Sequence, residues 1–234
     1  MKKFMALLLV AGMTLSLTAC GGSTDTAKTD QADGKDTFTV GFDQDFPPFG
    51  YVGDDGEFTG FDIEMATECA ARMGKKIVLQ PIDWDAKDME LEAGTIDCIW
   101  NGFTMNGRED QYTWTDPYMD NSQVVVVKKD SGINTLADLA GKVVEVQKES
   151  AAETALNDEE HADLMASFAQ LLSVGEYNTA FMDLESGAVD AVAIDIGVAQ
   201  FQIEGKEDQY QILDETISSE QYAVGFFLGN TALR

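Results

Sequence analysis

Apolar positions from residue 37 onwards follow two spacings, one typical of strands and one typical of helices. Phe38–Phe42 alternates apolar and polar residues and predicts a strand. Apolar residues then recur at helical spacing from Ile63 to Met73, and Gly74 ends the run. The same alternation predicts strands at residues 77–82 and 96–100 and a short helix at residues 88–93. This first part of the chain is therefore predicted to be an α/β unit.

A second α/β series follows the continuous β-branched run Val124–Val127, which is typical of a buried strand or of a crossover between lobes. The pattern predicts helices at residues 135–139, 150–156, 180–186 and 196–202, and strands at residues 143–146, 191–194 and 211–213. Residues 222–228 are apolar enough to return to the first unit. We therefore expect two α/β lobes with a ligand cleft between them, at the carboxyl ends of strands.

The first 36 residues have a different character, which predicts export. Lys2 and Lys3 precede an apolar stretch, Phe4–Leu17, that is shorter than the roughly 20 residues needed to span a bilayer. It ends in Leu17-Thr18-Ala19-Cys20, which resembles a bacterial lipobox and implies acylation of Cys20. The alternative is a plain signal peptide with a chance cysteine. Residues 21–36 contain no aliphatic side chain larger than Ala and predict a flexible tether.

The predicted organisation is a signal peptide with lipobox (1–20), a tether (21–36), lobe 1 (37–123), lobe 2 (124–222) and a return to lobe 1 (223–234). The protein is expected outside the cytoplasm, anchored by lipid to the outer face of the bacterial cell membrane or periplasmic. The folded part carries the whole charge imbalance, because residues 1–36 hold equal numbers of Lys and Asp. With 42 acidic and 15 basic residues and a net charge of -27, it repels nucleic acid and anionic membranes.

Two cysteines remain in the folded part, Cys69 and Cys98. Neither has a second Cys or His at metal-ligand spacing, so neither a metal nor a cofactor is predicted. Buried free thiols are the favoured interpretation, and a disulfide between the two stays open.

A series of short motifs then points to one family. In chain order they are Val40-Gly41-Phe42-Asp43, Phe46-Pro47-Pro48-Phe49, Gly60-Phe61-Asp62-Ile63, Gly94-Thr95-Ile96-Asp97-Cys98, Gly102-Phe103-Thr104, Arg108 and Thr115-Asp116-Pro117-Tyr118. The series resembles the family 3 solute-binding proteins of amino-acid ABC transporters, and the resemblance extends from about residue 37 to residue 234. It implies an α/β, two-lobed type II periplasmic-binding-protein fold with a two-strand hinge. It also implies a C-terminal helix of lobe 1 beyond Arg234, which is expected to be missing from this chain.

The chemistry of an amino-acid ligand supports that assignment independently. A zwitterion that leaves water needs a cation for its carboxylate and an anion for its ammonium group. Arg108 suits the carboxylate, since a guanidinium donates two parallel hydrogen bonds, and the resemblance implies that role. Asp195 matches the family aspartate that receives the ammonium group. The alternatives are a surface ion pair of Arg108 with Glu109 or Asp110, and a helix N-cap role for Asp195.

The resemblance implies further ligand contacts on both lobes. On lobe 1 these are Asn101, Gly102 and Thr104, and on lobe 2 they are Ser150 and Ala151, in a turn that opens a helix. Two departures from the family pattern affect these contacts. Glu149 stands where the family turn usually has Gly, and it would oppose a carboxylate if it pointed inward. The link from Thr104 to Arg108 is one residue shorter than usual, and Gly107 could absorb the tighter path.

The ligand side chain is expected to meet Phe46, Trp84 and Asp43. The two aromatic faces suit an aliphatic stem, a planar amide or a cation, although core packing is the alternative for each. Asp43 has no Lys or Arg beside it in the sequence and favours a basic or amide amino acid. The predicted protein is thus a monomeric receptor, with no catalytic residues, that delivers a polar amino acid to an ABC permease. The alternatives are an enzyme resembling cyclohexadienyl dehydratases, which share this fold, and a sensory ligand-binding lipoprotein.

Overall fold

The structure is a computed structural model that describes residues 35–234. The predicted signal peptide, Cys20 and the tether up to residue 34 lie outside the described residues. The described part consists of two α/β lobes. No helix in it is long and apolar enough to cross a membrane.

Lobe 1 is built on a five-stranded mixed sheet and a small three-stranded sheet. Its elements are β1 (Thr37–Phe42), β2 (Asp45–Phe46), β3 (Gly50–Val52), β4 (Phe58–Thr59), α1 (Phe61–Arg72), β5 (Lys76–Pro81), a 3₁₀ turn (Trp84–Ala86), α2 (Lys87–Ala93), β6 (Cys98–Ile99) and β7 (Tyr112–Trp114). The strand β14 (Gly225–Phe227) returns from the end of the chain and completes the large sheet, whose order is β5-β1-β6-β14-β7.

Lobe 2 is built on a six-stranded sheet. Its elements are β8 (Met119–Lys128), 3₁₀ turns at Leu136–Leu139 and Glu159–His161, β9 (Val143–Gln147), α3 (Ala151–Asn157), α4 (Ala162–Ser167), β10 (Gln170–Val174), α5 (Tyr177–Ser186), β11 (Ala191–Asp195), α6 (Ile196–Ile203), β12 (Tyr210–Ile212) and β13 (Ser218–Tyr222). The order is β10-β9-β11-β8-β12, with β13 also paired to β8.

Two antiparallel strands, β8 and β13, connect the lobes. They pair from Ser218 with Gln123 to Tyr222 with Met119. The run Val124–Val127 on β8 is buried on both faces, as its composition predicts, because helices cover both sides of the lobe 2 sheet. The second connecting strand begins at Ser218, and the chain then re-enters the lobe 1 sheet at Gly225–Phe227, inside the predicted return segment 222–228.

The parallel strands of each lobe end at the cleft, which is why the site residues converge there. In lobe 1, β1 pairs in parallel with β5 and β6. In lobe 2, β9 pairs in parallel with β10 and β11. The carboxyl ends of parallel strands meet at one edge of a sheet, beside the helix N-termini that follow. Away from this edge, Cys69 on α1 and Cys98 on β6 are both free thiols.

Candidate functional site

A small cavity of about 10 Å³ lies between the two lobes, where polar and aromatic side chains meet. Its walls are formed by Phe46, Trp84, Asn101, Gly102, Thr104, Arg108, Gln147, Ser150, Ala151 and Asp195. The structure thus brings together all of the sequence-predicted site residues except Asp43, and it adds Gln147. The single histidine of the chain, His161, is not among the residues that line the cavity.

The guanidinium of Arg108 has unused donors that can bind a carboxylate. Its Nη1 donates to the carbonyl of Thr104 at 3.1 Å and its Nη2 to the carbonyl of Glu149 at 3.4 Å. Among residues 35–234, no carboxylate forms an ion pair with it, so the alternative of a pair with Glu109 or Asp110 is not seen. A guanidinium has five N–H donors, so three remain. Gly107 has φ 78°, a left-handed conformation that accommodates the shortened link.

Asp195 ends β11 and is turned towards the hinge strands. One oxygen, Oδ1, accepts hydrogen bonds from the amides of Asn121 and Gln123, both at 2.7 Å, and from the hydroxyl of Tyr222 at 2.6 Å. Asp195 precedes α6 in the N-cap position, but its side chain makes no capping hydrogen bond. Burial, and next the nearby carboxylate of Glu220, raise the pKa of Asp195 above its usual value. Its other oxygen, Oδ2, has no hydrogen-bond partner among the described residues and is available to a ligand.

The turn before α3 differs from the expected anion site. The hydroxyl of Ser150 accepts a hydrogen bond from the Glu153 N–H at 3.1 Å and so caps its own helix. Glu149 has φ 61°, which explains why glycine is the usual residue at this position. Its side chain is 54% exposed, and its Oε2 lies 3.7 Å from Lys87 Nζ rather than inside the cavity. Glu149 therefore does not oppose a ligand carboxylate.

Asp43 lies beside the cavity instead of lining it. Its Oδ2 accepts a hydrogen bond at 2.6 Å from Gln147 Nε2, so it links lobe 1 to lobe 2. Burial raises its pKa to about 6. Asp43 faces an adjacent cleft of about 570 Å³ that shares Trp84 with the first cavity. The acidic residues on the walls of that cleft are Asp43, Asp45, Asp83, Asp85, Glu90 and Glu176.

A further buried carboxylate, that of Asp62 on α1, lies behind the cavity wall and holds Gly102 in place. Its side chain is fully buried, and its Oδ2 accepts hydrogen bonds from the Gly102 N–H at 2.6 Å and the Tyr118 hydroxyl at 2.9 Å. Burial raises its pKa to about 7. Asp62 belongs to a sequence motif, but sequence reasoning did not assign it to the site. Its position at the start of an amphipathic helix looks like an ordinary exposed first-turn acid.

Polar contacts hold the lobes against each other around the cavity. Lys148 Nζ lies 2.7 Å from Asp85 Oδ2, and the pair of Lys87 and Glu149 spans the same boundary. On the other side, Asn178 Nδ2 donates to Asp45 Oδ1 at 2.9 Å. These contacts correspond to a closed arrangement of the lobes.

We expect the ligand-free protein to become less stable as the pH rises from 5 to 7.5. The raised pKa values of Asp43, Asp62 and Asp195 mean that the folded state binds more protons than the unfolded state in this range. The free energy of unfolding should therefore fall with rising pH, by roughly 6 kcal/mol in total. Thermal unfolding at both pH values checks this. Asp62→Asn should reduce the dependence, whereas Asp208→Asn, at an exposed position, should not. Equal melting temperatures would contradict the assignment.

Gly102 is expected to tolerate no side chain. Its φ is 56°, and a Cβ there would lie 2.9 Å from Phe46 Cε1 and 3.1 Å from the ring of Tyr222. Gly102→Ala should lower the free energy of unfolding by roughly 2–4 kcal/mol, measured by urea denaturation, because both rings are buried. Gly132→Ala is the matched control. Gly132 has φ 75°, but no atom lies within 4 Å of the position that a Cβ would take, so it reports backbone strain alone. Equal losses in the two variants would rule out the clash.

Two α/β lobes joined by a pair of strands, with a polar cavity between them, define the architecture of the two-lobed binding proteins. The family of bacterial extracellular solute-binding proteins, family 3, matches residues 38–179. The L-cystine-binding protein TcyJ of Escherichia coli (strain K12) is 30% identical over 232 residues, which cover 98% of this chain and 83% of that protein. The chain therefore belongs to the family 3 extracellular solute-binding proteins.

The names of other similar proteins give different amino acids as ligands. The arginine-binding extracellular protein ArtP of Bacillus subtilis (strain 168) is 36% identical over 148 residues, 63% of this chain and 56% of the relative. The crystal structure of an ABC uptake transporter substrate binding protein from Streptococcus pneumoniae, with bound histidine, has a TM-score of 0.80 at 34% identity. That superposition covers 85% of this chain and 82% of the other. The family is thus shared by proteins with several amino-acid ligands.

Proposed function

We propose that this protein captures a polar amino acid in the cavity between its lobes, outside the cytoplasm, and delivers it to an ABC uptake permease. One observation carries the proposal. The cavity wall combines the unused guanidinium donors of Arg108, from lobe 1, with the unused carboxylate oxygen of Asp195, from lobe 2. A zwitterion supplies the matching carboxylate and ammonium group.

Binding would act through closure of the lobes. A ligand that contacts both Arg108 and Asp195 can do so only when the lobes are together, so it shifts the population towards the closed state. The ion pair of Lys148 with Asp85 forms in that state as well and adds to its stability. The closed form would then dock on the permease and release its ligand there.

We propose a basic or amide amino acid as the ligand. Phe46 and Trp84 line the cavity, and Trp84 also lines the acidic cleft that contains Asp43. Six acidic residues line this cleft, and two lysines contact its wall, Lys148 at Asp85 and Lys87 over the Trp84 ring. The acidic residues outnumber the lysines, so a cationic side chain that reaches past Trp84 would be attracted. Gln147, which lines the cavity and contacts Asp43, adds an amide that can bind a polar side chain.

A lipid anchor at the N-terminus is a further proposal, and it rests on sequence alone. The segment Leu17-Thr18-Ala19-Cys20 supports cleavage before Cys20 and a lipid anchor on its thiol. The anchored protein would work as a monomer that binds without chemical turnover of the ligand. Mass spectrometry of the protein from a bacterial membrane checks the anchor, and an N-terminal peptide that begins before Cys20 would contradict it.

Isothermal titration of the purified protein with a panel of amino acids tests the function. The panel contains L-arginine, L-histidine, L-glutamine, L-cystine, L-glutamate and L-leucine. We expect saturable binding of one or a few polar members and no heat with L-leucine, because the cavity presents charged groups. Recovery of the ligand unchanged after incubation distinguishes binding from catalysis. A folded protein that binds none of the panel would contradict the proposal.

A further inference from the structure

A buried hydrogen-bond network at the hinge connects site residues of the two lobes through Glu220. Glu220 lies on β13 and is 7% exposed. Its Oε1 accepts hydrogen bonds from the Thr104 hydroxyl at 2.8 Å and from the amides of Asn121 and Gln123, both at 2.7 Å. The same two amides donate to Oδ1 of Asp195. Thr104 belongs to lobe 1 and Asp195 to lobe 2, so Glu220 joins one wall of the cavity to the other.

Two carboxylates therefore share the same pair of donors. Glu220 Oε1 and Asp195 Oδ1 can be no farther apart than two hydrogen bonds laid end to end. Like charges this close, in a site shielded from water, resist being ionised together. An amide side chain has two N–H groups, so Asn121 and Gln123 can each serve both carboxylates.

The other groups around Asp195 do not neutralise this pair. Tyr222, on β13, and Tyr177, on α5, are fully buried, and burial raises the pKa of each hydroxyl well above its usual value, so both stay uncharged. Arg108 lines the cavity from lobe 1 but forms no ion pair with either acid in the described part of the chain. With both acids ionised, the ligand-free site would hold more negative charge than Arg108 balances.

We propose that Glu220 is a positioning residue for the ammonium group of the ligand. Glu220 does not line the cavity, so it acts through its neighbours in two ways. It accepts the hydrogen bond of the Thr104 hydroxyl, which leaves the lone pairs of that oxygen free to accept from an ammonium N–H. It also places a second negative charge behind Asp195. The inference rests on the proposed function and assigns the acid pair to one ligand feature, a free ammonium group.

A dependence of affinity on pH follows from this arrangement. Because burial, and next the charge of Glu220, raise the pKa of Asp195 to about 7, Asp195 is partly protonated near neutral pH in the absence of ligand. An ammonium group supplies the positive charge instead, so Asp195 releases that proton on binding. The affinity should therefore increase as the pH rises from 5.5 to 7.5 and fall as Asp195 is protonated.

Glu220→Gln tests the inference, because it keeps the size of the side chain and removes its charge. The probe is whichever of L-arginine, L-histidine, L-glutamine or L-cystine binds the wild-type protein in isothermal titrations. At pH 7.5 we expect an affinity roughly 10- to 100-fold lower than that of the wild-type protein. Between pH 7.5 and 5.5 the wild-type affinity should fall about tenfold or more. That of the variant should fall by a smaller factor, because burial still raises the pKa of Asp195 but the charge of Glu220 no longer does. Glu204→Gln, at an exposed position, should match the wild-type protein in both respects.

Two results with Glu220→Gln would overturn the inference. A variant with wild-type affinity and pH profile overturns it, and so does a weaker variant with an unchanged pH profile, which indicates a structural role. If Glu220→Gln does not fold, titration of the wild-type protein at pH 7 in phosphate and in Tris counts the protons released. Release supports the inference, and its absence overturns it. If the wild-type protein binds no probe, both the proposed function and this inference fail. If the wild-type protein binds a probe and Glu220→Gln binds it equally well, only this inference fails.

Discussion

Arg108→Ala is expected to weaken amino-acid binding by about two to three orders of magnitude. The ligand carboxylate would remain in the cavity without its only nearby guanidinium, and an unpaired buried charge costs roughly 3–5 kcal/mol. The effect on folding should be small, because Arg108 is only half-buried and its guanidinium bonds to two carbonyls that can also bind water. Isothermal titration with the amino acid that binds the wild-type protein measures the loss.

Two further variants make this prediction specific. Arg72→Ala removes an exposed arginine that forms an ion pair with Glu68 and should leave the affinity unchanged. Arg108→Lys keeps the charge but loses the second parallel hydrogen bond, so its affinity should lie between the other two. An affinity of Arg108→Ala within about threefold of the wild-type value would show that another group binds the carboxylate. The N–H of Ala151, at the start of α3, would then be the first candidate.

The strand–helix alternation predicted most of the lobe architecture from sequence. Long periodic segments such as α1, β5, β9 and β11 fall within a residue or two of their predicted bounds. The prediction missed β7, β10, β13, the small sheet of β2 to β4, and α4. Strands of two or three residues are too short to show a period, and β10 is half-buried at the edge of its sheet, so its polarity is mixed. The predicted helix at residues 135–139 is a 3₁₀ turn, because a segment this short cannot complete an α-helical pattern.

The residues of the candidate site also fall into those that the sequence predicted and those that it did not. Residues that contact the cavity stand in motifs and could be found from one strand end or turn at a time. The supporting network could not, because Asn121, Gln123 and Glu220 face each other only through the pairing of β8 with β13. That pairing joins positions about 100 residues apart in the chain, as in the hydrogen bond from Asn121 to Glu220. Asp43 differs for another reason. Its contact with Gln147 depends on how the lobes close, and a local sequence pattern cannot predict that closure.

Asp195→Asn is expected to abolish measurable binding of the same amino acid, with an affinity at least about 100-fold lower. The substitution keeps the shape of the side chain and removes the charge that receives the ammonium group. It also places an amide N–H₂ beside the donors of Asn121, Gln123 and Tyr222, which leaves buried donors facing one another or without acceptors. The free energy of unfolding near pH 7.5 should change less than the affinity does. In the wild-type protein at that pH, repulsion between the two adjacent carboxylates already destabilises the ligand-free folded state.

An analogue that lacks the ammonium group separates the two causes of this loss. The des-amino form of the bound amino acid presents a carboxylate and side chain but no positive charge. It should bind the wild-type protein weakly and should bind Asp195→Asn no more weakly than that, because it has no charge to lose. Asp208→Asn, which removes an exposed carboxylate elsewhere on lobe 2, should bind the amino acid as the wild-type protein does. If Asp195→Asn lowered the affinity for the amino acid and its des-amino form by the same factor, Asp195 would serve only to hold the hinge, and the ammonium group would need another partner in the cavity.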